Sequence, residues 1–232
     1  MSNIHKYLPK VLQPILEFQL INQDLDIELS LLDKYITDIN KEQVDLDIIE
    51  KREIKRESDL KVKLYQGLPK STKMELILQK LTEVGVDEII LVSTKRSVVK
   101  VDDKKEGKKI ERWERIMYEA AKQSKRGKIP KLRGILSFKE ALEDMKNNDM
   151  NICPYENERT VSIKSAIEGA DINSIGIFVG PEGGFEEEEI ENIQDINSKV
   201  VSLGPRILRT ETASVVASSI VLYELSDLGG NI

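Results

Sequence analysis

A chain of 232 residues, 40% hydrophobic and 33% charged, suits one larger domain with a small companion and is too apolar to be disordered as a whole. One cysteine, Cys153, and one histidine, His5, exclude disulfides within the chain, Cys/His zinc sites and Ser-His or Cys-His nucleophile pairs. Proton chemistry therefore falls to carboxylates, lysines, tyrosines or water. The net charge of −6 argues against a uniformly basic coat, yet residues 95–133 carry fifteen Lys and Arg against six Asp and Glu. Such a stretch reads either as a face for a polyanion or as a solvated helix surface laced with ion pairs. No apolar run approaches the roughly 18 residues of a membrane span, and "MSNIHKYLPKVLQPILEF" interrupts its apolar residues with Lys and Pro, unlike a signal peptide. The expectation is a cytoplasmic protein that does not touch membranes.

Residues 1–58 read as a small β-rich domain, with period-two stretches "LDIELSLLDKYITDI" and "EQVDLDIIEKREI" around a turn-like "NKE". "KRESD" is a polar junction, and residues 59–232 then alternate strand and helix patterns, the mark of an α/β layer with a mostly parallel sheet. "LKVKLYQGL" is a strand. "STKMELILQKLTEVGV" is a helix opened by a Ser/Thr cap and closed near Gly85. "DEIILVST" is a buried strand and "ERWERIMYEAAKQS" an amphipathic helix, in which Trp113 has the spacing of a core residue. "NDMNICPYE" and "SIGIFVG" are further strands, Cys153 being a small buried side chain of the first. The last helix spans residues 213–225, and its small residues permit close approach of another helix, here taken as a dimer contact.

Two junctions carry more polar and glycine residues than a turn requires. In "SIGIFVGPEGGFEEEEIENI" a strand runs into residues 180–184, at the carboxyl end where parallel sheets hold ligands. Glycines let a ligand approach bare backbone, but Glu186 to Glu189 in the next helix's first turn would repel a phosphate. A neutral or cationic ligand fits better than a polyphosphate, and neither a Walker loop nor a Gly-x-Gly-x-x-Gly turn is present. In "VSLGPRILRTETASVVASSIVLYE" a second strand end spends Gly204, Pro205, Arg206, Arg209, Thr210, Glu211 and Thr212 on one helix entry. Thr210 or Thr212 could serve as the helix cap.

"VGPEGGF" and "LGPRILRTETA", preceded by "LQKLTEVGVDEI", "KRSVVK" and "ERWERIMYEAAKQSKRGKIP", resemble the RsmE family of ribosomal RNA uridine N3-methyltransferases, from about residue 54 to residue 224. The resemblance implies a SPOUT-class α/β methyltransferase domain with a trefoil-knotted backbone, preceded by a divergent PUA-like domain for RNA docking. It also implies a homodimer that uses S-adenosylmethionine to methylate 16S ribosomal RNA, within the assembled small subunit. The cofactor falls to Gly180, Glu182, Gly183, Gly184, Leu203, Gly204, Ile207, Leu208 and Thr210, with Gly183 expected at positive φ beside the adenosine. Residues 1–53 contain no glycine, where relatives carry a Gly-Asp turn and a glycine hairpin, so tight turns would use Asn22, Asp24 or Asn40.

N3 of uridine keeps its proton near neutral pH, so the acceptor needs help to become an anion. Arg209 is assigned to that anion or to its flanking phosphate, and Glu211 to orienting Arg209 or accepting a proton. The competing reading is a structural Arg209–Glu211 pair. Arg96, Gln123, Ser124 and Arg126, in the basic stretch, are assigned to RNA. Two further readings stand beside this one: a noncatalytic RNA-binding protein that keeps the knot, and a SPOUT methyltransferase for transfer RNA.

Overall fold

The computed structural model describes residues 30–39, 44–53, 56–97 and 103–230. Strands β1 (Ser30–Ile39) and β2 (Val44–Glu53) form an antiparallel hairpin with two register irregularities, as the period-two stretches lead one to expect. Residues 1–29, 40–43 and 54–55 of the expected N-terminal domain, with the turn candidates Asn22, Asp24 and Asn40, lie outside the described residues.

From Lys61 strand and helix alternate: β3 (Lys61–Gly67), α1 (Ser71–Val84), β4 (Glu88–Ser93), α2 (Asp103–Gln123), β5 (Lys131–Ser137), α3 (Phe138–Met145), β6 (Met150–Pro154), α4 (Ile163–Ile167), β7 (Ser174–Val179), α5 (Glu187–Asp195), β8 (Lys199–Val201) and α6 (Thr210–Leu225). The six strands from β3 onward make one sheet in the order β5-β4-β3-β7-β6-β8, each neighbouring pair parallel. Its central strands are apolar on both faces because both are covered. Val62, Leu64, Ile89, Leu91, Ile175 and Ile177 meet the apolar sides of α1, α2, α4 and α6. The intervening Tyr65, Ile90, Val92 and Phe178 meet α3 and α5. Trp113 lies in the first of these cores, and Cys153, fully buried in the second, has its thiol pushed up by that burial.

Two details, both at helix starts, depart from expectation. Ser71 and Thr72 do not cap α1; its N-cap is Lys70, which provides no side-chain bond, and the Lys70 N–H donates instead to Glu182 Oε1 at 3.1 Å. Neither threonine caps α6, which starts at Thr210, three residues earlier than expected, with Arg209 as N-cap. Ala213, Ser214, Ala217 and Ser218 are buried against the chain's own sheet and helices, while Val216, Ser219 and Tyr223 of the same helix keep exposed surface.

One face of the sheet carries a buried polar network. Tyr65 Oη donates to Asp144 Oδ2 and Arg133 Nη1 to Asp144 Oδ1, both at 2.7 Å, while Asn148 Nδ2 reaches Tyr65 Oη at 3.2 Å and Asn151 Oδ1 at 2.9 Å. Burial, and then the bond to Asp144, push the Tyr65 hydroxyl far above its ordinary range. Gly176 makes room for the two asparagines: an added Cβ would lie 2.2 Å from Asn151 Oδ1 and 2.6 Å from Asn148 Nδ2. Gly176→Ala should therefore lower stability by about 2–4 kcal/mol, through overpacking plus orphaned amides, seen as a lower urea midpoint at an unchanged m-value.

Candidate active site

β7, β6 and β8 are neighbours, so their carboxyl ends bring three turns together. Residues 154–159, 179–185 and 202–210 converge there on one cleft, with Lys73 of α1 and Ala213 of α6 completing its wall. Of the residues assigned to the cofactor, Gly180, Glu182, Gly184, Leu203, Gly204, Ile207, Leu208 and Thr210 all line it.

Gly183 does not. Its carbonyl accepts from Arg96 Nη1 at 2.9 Å, and a Cβ on it would lie 3.0 Å from Arg96 Cβ. Nor is its φ positive; the left-handed positions are Gly184 (φ +67°) and Gly204 (φ +114°). The turn is closed by the Gly184 N–H donating to Pro181 O at 3.0 Å. Thr210 is buried beneath this turn, its Oγ1 donating to Gly180 O at 2.6 Å and accepting from Gln66 Nε2 at 3.0 Å. Its hydroxyl is thus spent on tying the entry of α6 to the end of β7, and no donor is left for a ligand.

Glutamates close the route to a phosphate. Glu186 and Glu189 form a capping box at the start of α5, the Glu186 N–H donating to Glu189 Oε2 at 2.9 Å. Arg96, assigned to RNA, forks onto the Glu186 carboxylate at 2.8 and 3.0 Å, Lys95 Nζ pairs with Glu188, and the Lys95 N–H donates to Glu189 Oε1 at 2.8 Å, so the start of α5 is pinned to the loop after β4. The hydrogen bonds and charge of Arg96 hold the Glu186 carboxyl below its usual range, against a small cost of desolvation.

The other RNA assignments fall at the opposite edge of the sheet. Arg126 is 4% exposed and donates to Glu57 Oε2 at 2.7 Å, to Val86 O at 2.8 Å and to Thr82 O at 3.1 Å. A guanidinium so buried and so fully partnered is a structural strut, and a phosphate could reach it only by breaking those bonds. Ser124 donates to Ala120 O at 2.8 Å within its own helix end, and Gln123 sits in the groove between α1 and α2.

The glutamate expected beside Arg209 pairs elsewhere. Glu211 Oε2 lies 3.4 Å from Lys73 Nζ, and among the described residues Arg209 and Glu211 form no ion pair. Lys73 also lies 3.3 Å from Glu182 Oε1. Partial burial opposes ionisation of Glu182, but its own N–H, that of Lys70 and the Lys73 ammonium hold its carboxyl below the usual range. In contrast, Arg159, Arg206 and Arg209 line the cleft with guanidinium groups that meet no carboxylate among the described residues. Lys73, Glu156 and Arg159 escaped the sequence reading because they sit in stretches read only as a helix start or a strand end. The rule that sites gather at carboxyl ends of parallel strands applies to β3 and β6 as well, and could have found them.

The residues present fit a cofactor of neutral base and cationic centre. Ile207 is 78% exposed at the lip, offering apolar surface to a flat ring, and Leu203 and Leu208 add partly buried apolar walls. Glu156 and Glu182 supply negative charge. No group of three or more His, Cys, Asp or Glu among the described residues is placed to hold a metal ion, and none of their helices is long and apolar enough to cross a membrane.

A parallel sheet with such a cleft at its carboxyl ends matches a known class: residues 56–222 fit the RNA methyltransferase domain family. Ribosomal RNA small subunit methyltransferase E of Bacillus subtilis (strain 168) is 40% identical over 198 residues, 83% of this chain and 77% of that protein. Its counterpart from Mesomycoplasma hyopneumoniae is 36% identical over 169 residues, 73% of this chain and 72% of that protein. The crystal structure of the Neisseria gonorrhoeae ribosomal RNA small subunit methyltransferase E bound to S-adenosyl methionine is similar with a TM-score of 0.75 at 27% identity, covering 97% of this chain and 91% of that one. A Legionella pneumophila methyltransferase structure with S-adenosylmethionine bound gives a TM-score of 0.75 at 31% identity, covering 90% of both chains. The chain belongs to the ribosomal RNA small subunit methyltransferase E family.

Proposed function

We propose that this protein transfers a methyl group from S-adenosylmethionine to N3 of a uridine in 16S ribosomal RNA within the small subunit. It would act as a homodimer, through a trefoil-knotted domain (residues 59–232) and a PUA-like RNA-docking domain (residues 1–58). The observation that carries this reading is the cleft itself, in which left-handed glycines, an exposed apolar lip and carboxylates converge at three parallel strand ends. When bound, the cofactor supplies an electrophilic methyl on a sulfonium. Gly184 and Gly204 leave main chain open to the adenosine, Leu203, Ile207 and Leu208 pack on its apolar faces, and Glu156 and Glu182 offset part of the positive charge that Lys73, Arg159, Arg206 and Arg209 bring to the cleft. Arg209 stabilises the acceptor once N3 has lost its proton. The test is to incubate the purified protein with S-adenosylmethionine and small subunits and to map modified nucleotides by mass spectrometry. N3-methyluridine in 16S RNA supports the reading; cofactor binding without transfer, or transfer to transfer RNA, overturns it.

Arg159 and Arg206 add to the residues assigned to RNA, in place of the buried Arg126. Both are exposed, line the cleft and pair with no carboxylate among the described residues, so phosphates flanking the target nucleotide meet them at little cost. Replacing both by Ala should make the slope of log affinity for RNA against log salt shallower by about 1.4, at about 0.7 per contact on a single strand. An unchanged slope in filter-binding titrations would remove both contacts.

A further inference from the structure

Lys73 stands in the first turn of α1, directly after the carboxyl end of β3, and lines the cleft with a side chain only 27% exposed. Its ammonium lies between two carboxylate oxygens, 3.3 Å from Glu182 Oε1 and 3.4 Å from Glu211 Oε2. Both distances exceed the roughly 2.7–2.9 Å of a seated charge-assisted hydrogen bond. Glu211 Oε2 is itself buried with no hydrogen bond from any described residue. Two long carboxylate contacts engage at most two of its three N–H donors, so among the described residues one donor of this half-buried ammonium is left for a ligand in the cleft. Two carboxylates against one ammonium leave the cluster at −1, so Lys73 offers a directed donor without adding net positive charge beside a cationic cofactor.

We infer that Lys73 is a catalytic residue, donating to the uracil carbonyl oxygen adjacent to N3 and stabilising the charge that gathers there as N3 loses its proton. The inference rests on the reading of this cleft as a uridine N3 site. The proton passes to solvent water and Lys73 stays protonated throughout. The methyl then forms its bond to N3 while the broken S–C electron pair remains on sulfur. Glu182, which lines the cleft, and Glu211, which does not, hold the ammonium in place from two sides.

The experiment compares the wild type, Lys73→Met, Lys73→Arg and the double variant Lys73→Met/Glu211→Gln in single-turnover methylation of small subunits from pH 6.5 to 9.5. Calorimetry with S-adenosylmethionine and with 5′-methylthioadenosine, which lacks the amino-acid end, accompanies it. Lys73→Met should bind both ligands within about threefold of wild type and methylate about a hundredfold more slowly at neutral pH, the scale of one lost transition-state donor. The deficit should shrink at least tenfold by pH 9.5, where solution ionises N3 unaided, and Lys73→Arg should recover most of the rate. The double variant, relieved of its unpaired buried carboxylate, should melt closer to wild type yet stay slow. Recovery of rate in the double variant would reduce Lys73 to a counterion of Glu211 and overturn the inference. So would Lys73→Met activity within threefold of wild type, or a selective loss of S-adenosylmethionine over 5′-methylthioadenosine, which would place Lys73 on the cofactor carboxylate. A wild type that forms no N3-methyluridine would instead refute the underlying function, an outcome visible before any variant is measured.

Discussion

Arg209→Ala lowers single-turnover methylation of small subunits by about a hundredfold or more, while affinity for S-adenosylmethionine stays within a few fold. The asymmetry follows from where the guanidinium stands. It is exposed at the N-cap of α6, lines the cleft and meets no carboxylate among the described residues, so its loss strands no buried partner. The backbone bond that begins α6, from the Ala213 N–H to Arg209 O at 2.8 Å, survives in alanine. A free cation gains nothing from a cofactor that carries its own positive centre, and gains most from an anion that forms only as N3 ionises. Raising the pH should then restore part of the rate, because hydroxide removes the proton that Arg209 otherwise makes easier to lose. A rate loss independent of pH would assign Arg209 to a phosphate, and full activity would make it a surface side chain.

Gly184→Val weakens S-adenosylmethionine binding by about tenfold to a hundredfold, the equivalent of about 1.4–3 kcal/mol of backbone strain and displacement. A β-branched residue resists φ near +67°, and its Cβ would lie 2.7 Å from Glu156 Oε1, so either the turn or the carboxylate must leave its place in the cleft. Gly183→Val is the matched control. Its backbone needs no positive φ and its new side chain would press on Arg96 outside the cleft, so its effect on calorimetric affinity should be the smaller of the two. The reverse ranking would mean that the turn changes shape when the cofactor binds.

Much of the fold is legible because it rests on local chemistry. Apolar runs such as "EIILVS" and "SIGIFV" can be strands only if both faces are covered, and the helical spacing between them supplies the cover. The shorter elements β5, α3, α4 and β8 are less legible, since three to eight residues carry little period and their burial depends on neighbours far away in the chain.

The site divides along the same line. Residues 180–184 and 203–210 could be singled out by sequence alone, and all but Gly183 and Pro205 line the cleft, because glycine at a strand end and an anion-repelling helix start are local facts with a local physical meaning. Which cations are free could not. Arg96, Arg126 and Arg209 look alike in a basic sequence, yet Glu186 neutralises the first from 90 residues away, Glu57 and two carbonyls bury the second, and the guanidinium of the third meets no carboxylate among the described residues. The same holds for Lys73, whose two carboxylates come from the turn after β7 and from the start of α6. A charge's availability depends on its partners and on how far water is excluded around it, and both are set by contacts between distant segments, which only the tertiary structure brings together.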